Sequence, residues 1–137
     1  MRVLLTDEDI TAGSTSSYTG PVPKFGDQQG GVIQLSDPDD KTTKVGDYSF
    51  LITFLDDAIG CVATGAYTFP NGDQVTFAAS CSGLVGPLGD FSITGGKGKF
   101  SGAGGYVDYM IDAIDSEGVQ YGFTHDIHVC SRPHQLE

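Results

Sequence analysis

Clustered glycines join two β-prone runs near the middle of the chain. The first run, Asp90 to Thr94, leads into Gly95-Gly96-Lys97-Gly98, and the second begins at Tyr106. Glycines at such a connection supply the positive φ angles of a tight turn, and further glycines allow a strand to bend sharply. A small closed barrel needs such bends more than an open sheet does. The stretch from Gly89 to Tyr109 therefore predicts a strand, a tight turn and a strand within a closed barrel.

The rest of the chain consists of further β-prone runs separated by turn residues. Six runs have this character: Arg2 to Ile10, Gly30 to Leu35, Val45 to Leu55, Cys61 to Phe69, Gln74 to Ser80 and Val119 to Cys130. Asn71-Gly72 between two of these runs is a strong hairpin signal. No apolar spacing typical of a helix persists for three turns. The sequence thus predicts an all-β fold, a single eight-stranded antiparallel up-and-down β-barrel.

The length of 137 residues is typical of one domain. We expect a single barrel domain over residues 1–135, and we interpret Leu136-Glu137 as an expression-tag remnant. The opening MRVLLTDEDI has only a short apolar run before a group of acids, so no signal peptide is expected. No apolar stretch approaches the roughly 20 residues of a membrane span.

The charge balance restricts the possible partners. The formal net charge is −11, from 18 acidic and 7 basic residues. Binding to nucleic acid depends on Lys and Arg that neutralise phosphates, and an anionic membrane surface needs the same residues. We therefore expect neither nucleic acid nor a membrane as a partner.

The three cysteines, Cys61, Cys81 and Cys130, are odd in number and follow no metal-binding pattern. This usage is typical of reduced, buried thiols in the cytosol, and it predicts a cytoplasmic protein. Cys61 and Cys81 are also placed so that they could face each other across a hairpin.

The last predicted strand offers the clearest candidate binding face. Alternation places Tyr121, Phe123, His125 and Ile127 on one face, and this face is the more apolar of the two. We predict that it faces the barrel interior, where Phe123 and Ile127 would contact a small hydrophobic substrate. Four aromatic side chains on the third and fourth strands are further candidates for substrate binding: Tyr48, Phe50, Tyr67 and Phe69. The alternative is that such aromatics only fill the core.

The candidate catalytic residues are Asp9, Glu8, His125 and Tyr121. Asp7-Glu8-Asp9 would alternate across the first strand, and a carboxyl that faces the interior would have a raised pKa and act as an acid or base. His125 could transfer a proton near neutral pH. The alternatives are a solvated strand end for the acids and a structural hydrogen bond to a backbone carbonyl for His125.

Metal and cofactor sites are not expected. His125 and His128 would point to opposite faces of one strand, and the acids around Asp39 lack the spacing of a calcium loop. Gly95 to Gly98 leads into a strand, whereas a phosphate-binding loop leads into a helix.

Four segments in order resemble a known barrel: FGDQQGGVIQL, KVGDYSFLITF, GAYTFPNGDQVTF and FSITGGKGKFSGAGGYV. The barrel is the one shared by plant allene oxide cyclases, dirigent proteins and bacterial cyclases of polyketide biosynthesis, including spirotetronate Diels-Alderases. The resemblance extends from Arg2 to Val129. Its most specific part is ITGGKGKF at residues 93–100, which is similar to the family's V-T-G-G-T/S-G-x-F hairpin.

The resemblance carries over to individual residues only in part. Dirigent proteins have an Arg at the position of Gly104 and are secreted, whereas no signal peptide is expected here, so both differences argue against a dirigent role in radical coupling. Allene oxide cyclases have a Glu and an Asn on the first strand. If the two sequences are aligned at Gly13, Glu8 falls near the position of the cyclases' Asn. If Asp9-Ile10 is instead aligned with the Asp-Ile pair of dirigent proteins, Asp9 is the first-strand carboxylate.

The resemblance implies a cofactor-independent cyclase or isomerase that closes a ring in a linear, polyketide-like or similar reactive precursor. Gly13 to Lys24 would form a lid that excludes water. The alternatives are a non-catalytic barrel for a small hydrophobic ligand and a dirigent-like stereocontrol protein. The relatives also imply a homodimer or homotrimer, through outward-facing Val107, Ile111 and Ala113.

Overall fold

The structure is a computed structural model that describes residues 1–18, 23–55, 60–82 and 91–130. The described chain forms strands, one α-helix and a 3-10 turn at Gly98–Phe100. In chain order the strands and the helix are β1 (Arg2–Thr6), α1 (Asp7–Gly13), β2 (Ser14–Ser16), β3 (Gln28–Asp37), β4 (Asp40–Phe54), β5 (Gly60–Thr68), β6 (Gln74–Ser82), β7 (Phe91–Lys97), β8 (Gly104–Ile114) and β9 (Gln120–Cys130).

Eight of these strands close into an antiparallel barrel, which confirms the predicted fold. Neighbours around the barrel follow the order β1-β9-β8-β7-β6-β5-β4-β3, and Leu4 of β1 opposite Ser36 of β3 closes it. The short strand β2 pairs only with β3. The turn of the glycine-rich stretch was predicted at Gly95 to Gly98, but Gly95 to Lys97 belong to β7 and the chain turns from Gly98 onward. Gly98 has a φ of 65°, which favours glycine, and a Cβ there would lie 2.0 Å from Oδ1 of Asp73, so that side chain would have to move.

The two ends of the barrel differ. The connections β3–β4, β5–β6 and β7–β8 lie at one end, which we call the turn end, and the other connections between barrel strands lie at what we call the loop end. The predicted Asn71-Gly72 hairpin is at the turn end, where the amide of Phe69 donates to the carbonyl of Asp73 over 2.9 Å. The end of β1, and with it α1, lies beside the start of β9 at the loop end.

The first predicted strand, Arg2 to Ile10, is wrong in its second half. β1 ends at Thr6, and Asp7 to Gly13 are helical. Thr6 caps the helix, since its hydroxyl accepts a hydrogen bond from the amide of Asp9 over 3.1 Å. Acids in a first turn also interact favourably with the helix dipole. The three acids therefore do not alternate across a strand.

α1 interrupts what would otherwise be one continuous strand alongside β3. β1 and β2 both run antiparallel to β3, with Leu4 opposite Ser36 and Ser14 opposite Gly31. Unbroken pairing from Leu4 would have placed Asp9 opposite Gly31, so the interruption adds five residues. The chain returns to β3 tightly, because a Cβ on Gly13 would lie 2.1 Å from the carbonyl oxygen of Val32.

The prediction of reduced thiols is wrong for Cys61. Cys61 is disulfide-bonded, and Cys81 is directly opposite it in the β5–β6 ladder. Cys130 is a free, exposed cysteine. Opposite positions on paired strands bring two cysteines within reach of each other, whatever the total count. The thiol argument for a cytosolic compartment therefore loses its basis. In the described ranges no helix is long and apolar enough to cross a bilayer.

The orientation predicted for β8 is also wrong. Val107 and Ala113 are buried, at 6% and 5% exposure, whereas Asp108 is exposed. An outward carboxylate avoids the desolvation that an inward one would suffer. The side chain of Ile111 and residues 136–137 lie outside the described part of the structure.

Candidate functional site

The barrel interior is packed at its centre, and some of its side chains nearer the loop end are less buried. Along β9, Ile127 and His125 are 1% and 2% exposed, whereas Phe123 and Tyr121, nearer the loop end, are less buried. Along β4, Tyr48 is 5% exposed and Phe50 is half-buried. We call the packed centre the floor, and the less buried side chains beside it, Phe50, Phe123 and Tyr121, the wall. Other inward side chains near the loop end, Phe54, Cys61 and Phe91, are buried.

The floor contains a hydrogen-bonded phenol and imidazole. The hydroxyl of Tyr67 lies 2.7 Å from Nδ1 of His125, and both side chains are buried. Three further rings surround the imidazole, with centroid distances of 5.4 Å for Tyr48, 5.6 Å for Phe91 and 5.2 Å for Tyr109. A buried polar pair of this kind fixes the orientation of both rings.

Burial keeps these groups uncharged. It lowers the pKa of His125 to about 3 and raises the pKa of Tyr67 well above its ordinary value. Burial also raises the pKa of Tyr48, and Tyr109 adds to that shift. With its pKa lowered in this way, the His125 imidazole is neutral near pH 7, which does not favour the proton transfer near neutral pH that the sequence suggested. The imidazole of His125 is hydrogen-bonded to Tyr67, whereas the structural alternative in the sequence analysis was a hydrogen bond to a backbone carbonyl.

Two polar atoms of the floor have unused hydrogen-bonding capacity. Among the residues that the structure describes, neither the hydroxyl of Tyr48 nor Nε2 of His125 has a hydrogen-bond partner. These two atoms could therefore form a hydrogen bond with a ligand oxygen that lies against the floor.

Two aromatic pairs form the wall above the floor. Phe50 stacks on Tyr48 at 5.4 Å between centroids, and Phe123 stacks on Tyr109 at 5.3 Å. Burial, and secondly the charge of Asp7, raise the pKa of Tyr109 to about 12. Tyr109 was not among the predicted site residues, although alternation along β8 from buried Val107 would have identified it.

A second cavity lies beside the first turn of α1. This rim pocket has a volume of about 550 Å³ and is open to solvent. It is lined by Thr6, Asp7, Glu8, Asp9, Lys41, Thr42, Lys44, Gln120 and Tyr121. Three of the four predicted catalytic residues, Glu8, Asp9 and Tyr121, thus meet here, whereas His125 lies apart from them in the interior.

Asp9 is ionised rather than held as a neutral acid. Its Oδ2 accepts hydrogen bonds from Lys44 Nζ at 2.7 Å and from the Thr6 hydroxyl at 2.8 Å. Partial burial by itself would raise the pKa of Asp9, but the bonds from Lys44 and Thr6 and the charge of Lys44 together hold it below its ordinary value. The expected raised pKa is therefore not found at Asp9, and Glu8 is exposed.

Lysines complete the rim pocket. Lys41 Nζ lies 4.8 Å from the centroid of the Tyr121 ring. Neither Lys41 nor Lys44 was predicted as a site residue, because each is distant in sequence from its partner. Lys44 is brought near α1 by strand pairing, since it lies opposite Ser36 of β3 and Ser36 lies opposite Leu4 of β1. No sequence signal at either lysine indicates these contacts.

The other predicted residues lie outside both the floor and the rim pocket or belong to the packed core. Phe69 lies at the turn end, where its ring packs 5.8 Å from that of Phe100, and it is remote from the wall. Ile127 belongs to the packed core. Of the predicted lid, Gly13 to Lys24, residues 19–22 lie outside the description, and Ser14–Ser16 form β2. Within the described ranges, no group of His, Cys, Asp and Glu could hold a metal ion.

Two solved structures are similar to this barrel. The pterocarpan synthase dirigent protein GePTS1 matches with a TM-score of 0.74 and 18% identity, over 100% of this chain and 86% of that chain. The pterocarpan synthase dirigent protein PsPTS1 matches with a TM-score of 0.72 and 17% identity, over 97% of this chain and 94% of that chain. At such identities the likeness shows the fold alone. No family model matches the chain, and no curated protein matches its sequence.

Proposed function

We propose that this chain is a dirigent-like barrel that binds a small, largely apolar precursor in its interior and directs the closure of a ring. The observation that supports this most is the Tyr67–His125 pair, 2.7 Å apart, on the floor of an aromatic interior. Such a site offers apolar surface with a few fixed polar groups, which is the usual composition of small-molecule sites.

The proposed reaction needs positioning more than it needs charge. Holding two ends of one molecule in a reactive arrangement can supply about 7–11 kcal/mol of the barrier to ring closure. The rings of Phe50, Tyr109 and Phe123 would restrict the precursor to a folded conformer. No cofactor takes part in the proposed reaction.

The floor would supply hydrogen bonds to the reacting oxygen. Because burial raises its pKa, the Tyr48 phenol stays protonated and donates to a carbonyl or phenolic oxygen of the precursor. Nε2 of His125 offers a second hydrogen-bonding position, and the bond from Nδ1 to Tyr67 fixes the ring. A donor directed at an oxygen that gains negative charge during closure would accelerate the reaction.

The names of the two similar structures suggest a class of precursor. Both are called pterocarpan synthases, so we propose a compact, oxygenated aromatic precursor as the first choice. A linear polyketide-like precursor, closed by cycloaddition, is the second choice and rests on the resemblance of the sequence to bacterial cyclases.

The test is ring closure with a racemic open-chain precursor of a pterocarpan and, separately, with a linear polyketide-like triene. Rate and enantiomeric ratio are followed by chiral chromatography, beside a reaction in buffer alone. We expect faster closure or a product enriched in one enantiomer, and Tyr48→Phe should lose most of that effect. The control is Tyr106→Phe, since Tyr106 is half-exposed on the outer face of β8. Retention of the precursor without any change in rate or stereochemistry would instead indicate a carrier.

A further inference from the structure

One part of the barrel interior is polar, and it is formed by β2 and the start of β3. Ser14 of β2 lies opposite Gly31 of β3, and Gly31 lies opposite Phe50 of β4. Residues that are opposite in an antiparallel ladder have their side chains on the same face of the sheet. Because Phe50 packs against the core cluster, the Ser14 side chain also faces the interior.

The hydroxyl of Ser14 is buried without a hydrogen bond. Its oxygen is covered from solvent and has no hydrogen-bond partner among the residues that the structure describes. Gly31, its neighbour on β3, has no side chain that could bond to it. A buried hydroxyl without a partner costs free energy on folding, so its presence in a native structure needs an explanation. The Ser14 hydroxyl is therefore available to a molecule that enters the interior.

Gln29 extends this polar surface toward the loop end. It lies opposite Ile52 of β4, which packs against the core cluster, so the amide of Gln29 also faces inward. Its neighbour on β2 is Ser16. The Gln29 side chain is half-buried, and within the described ranges its amide has no hydrogen-bond partner. We call Ser14 and Gln29 together the polar strip.

The polar strip and much of the aromatic wall lie on different strands. Phe123 and Tyr121 of the wall belong to β9, and Phe123 stacks on Tyr109 of β8. A molecule bound between the strip and these rings would contact apolar surface on one side and two uncharged hydrogen-bonding groups on the other. Such a site distinguishes between two orientations of a flat molecule, because only one of them places a polar edge against the strip.

We propose that the polar strip binds a second, uncharged oxygen of the precursor, a hydroxyl or a carbonyl, while the floor binds the reacting oxygen. A hydroxyl and an amide can each donate and accept, so both kinds of oxygen are matched. β2 and β4 are two strand spacings apart, or about 10 Å, so the two oxygens belong at separate ends of the precursor. The inference rests on the proposed function, and it gives the strip the role of selecting the face of the precursor that reacts.

The test is fluorescence titration of the full chain with two biphenyl probes. One is p-phenylphenol, which has a hydroxyl at one end, and the other is p,p′-biphenol, which has a hydroxyl at each end. We expect the biphenol to bind at least about fivefold more tightly, as one or two additional hydrogen bonds would give. Ser14→Ala and Gln29→Met should each lower this ratio to about two or less. Tyr48→Phe should weaken both probes by a similar factor, since each has a hydroxyl for the floor.

The chain offers a matched control next to each tested residue. Thr15 and Gln28 are exposed on the outer face of the same strands, so Thr15→Ala and Gln28→Met should leave the ratio unchanged. Ser14→Thr keeps a hydroxyl and should retain the preference for the biphenol. Thermal unfolding of Ser14→Ala should give a melting temperature equal to or above that of the wild type, because the change removes no hydrogen bond.

The outcomes separate this inference from the proposed function. If both probes bind but their ratio is unchanged in Ser14→Ala and in Gln29→Met, the role of the strip is overturned and the proposed function stands. A lower melting temperature of Ser14→Ala with an unchanged ratio would also overturn it, since the hydroxyl would then be structural. If neither probe binds the wild type up to its solubility limit, both the inference and the proposed function fail.

Discussion

His125 on the floor and Asp9 in the rim pocket show two opposite treatments of an ionisable group. His125 is 2% exposed and has no oppositely charged group against it, so burial removes its charge. The Asp9 side chain is 18% exposed, and Lys44 at 2.7 Å keeps it ionised. The barrel therefore offers neutral hydrogen bonds inside and fixed charges at its rim. This division favours a ligand with an uncharged reacting part.

The largest difference between the floor and the rim pocket should be in how much side-chain packing contributes to the free energy of unfolding. Phe77 is 2% exposed and contacts the rings of Tyr48, Tyr67 and Phe91, at 4.7 to 5.5 Å between centroids. Phe77→Ala should lower the free energy of unfolding by about 3–5 kcal/mol, because it leaves a cavity in the floor. Tyr121→Phe in the rim pocket should change it by less than about 0.5 kcal/mol. Urea unfolding of both variants measures the contrast, and equal effects would mean that the floor is not tightly packed.

His125 and Asp9 should also differ in how they make the stability of the protein depend on pH. The pKa of His125 falls from its ordinary value of 6.5 to about 3 in the folded chain, so the unfolded chain binds more protons between these values. Stability should therefore fall as the pH is lowered below about 6.5, by up to about 1.4 kcal/mol per pH unit until pH 3. Asp9, with a pKa lowered from 3.8, contributes stability that is present above that value and is lost only as the pH falls further.

Urea unfolding at successive pH values tests this assignment. His125→Gln keeps a hydrogen-bonding group beside Tyr67 but cannot titrate, so the slope between pH 6 and pH 4 should be flatter than in the wild type, by about 1 kcal/mol per pH unit. Asp9→Asn should leave that slope unchanged. An equally steep slope in His125→Gln would show that another group is responsible.

The hydrogen bond on the floor should have an intermediate effect. Tyr67→Phe removes the hydroxyl and leaves Nδ1 of buried His125 without its partner, which should cost about 1–3 kcal/mol of unfolding free energy. Tyr106→Phe, on the outer face, is the matched control and should be nearly neutral. Chemical denaturation compares the two, and a neutral Tyr67→Phe would mean that water replaces the hydroxyl without loss.

The smallest effect is expected at the rim. Lys44 is 40% exposed, so Lys44→Met should change stability by less than about 1 kcal/mol. The same change should raise the pKa of Asp9, because it removes both a hydrogen bond and a positive charge. NMR titration of the Asp9 carboxyl in wild type and variant measures this shift. An unchanged pKa would show that the ion pair does not persist in solution.

The sequence predicts the barrel because its signals are local. The Asn71-Gly72 hairpin depends on a few neighbouring residues and is confirmed. The glycine-rich stretch does form a strand, a turn and a strand, but its turn begins at Gly98 because Gly95 to Lys97 continue β7. α1 was missed because a helix of seven residues is too short to show an apolar period. Its capping signal, Thr6 followed by three acids, was nevertheless present in the sequence.

The candidate site was predicted less completely because it depends on distant contacts. Alternation correctly grouped Phe123 and His125 with the interior, but it could not tell which of them is packed and which is accessible. The Asp9–Lys44 pair joins residues that are 35 positions apart, and their approach depends on how the β3–β4 hairpin and α1 are placed. Those placements follow from tertiary packing, which no local pattern encodes.

The interruption by α1 of the strand alongside β3 has a consequence for how the sequence of such a protein can change during evolution. β1 and β2 are each held to β3 by their own pairing, so residues can be gained or lost between them without moving any other strand. Insertions and deletions are tolerated best where the flanking structure stays fixed. The rim beside Asp9 can therefore diversify in length and chemistry while the barrel that supports it is inherited unchanged, which makes α1 the natural position for graft or library design.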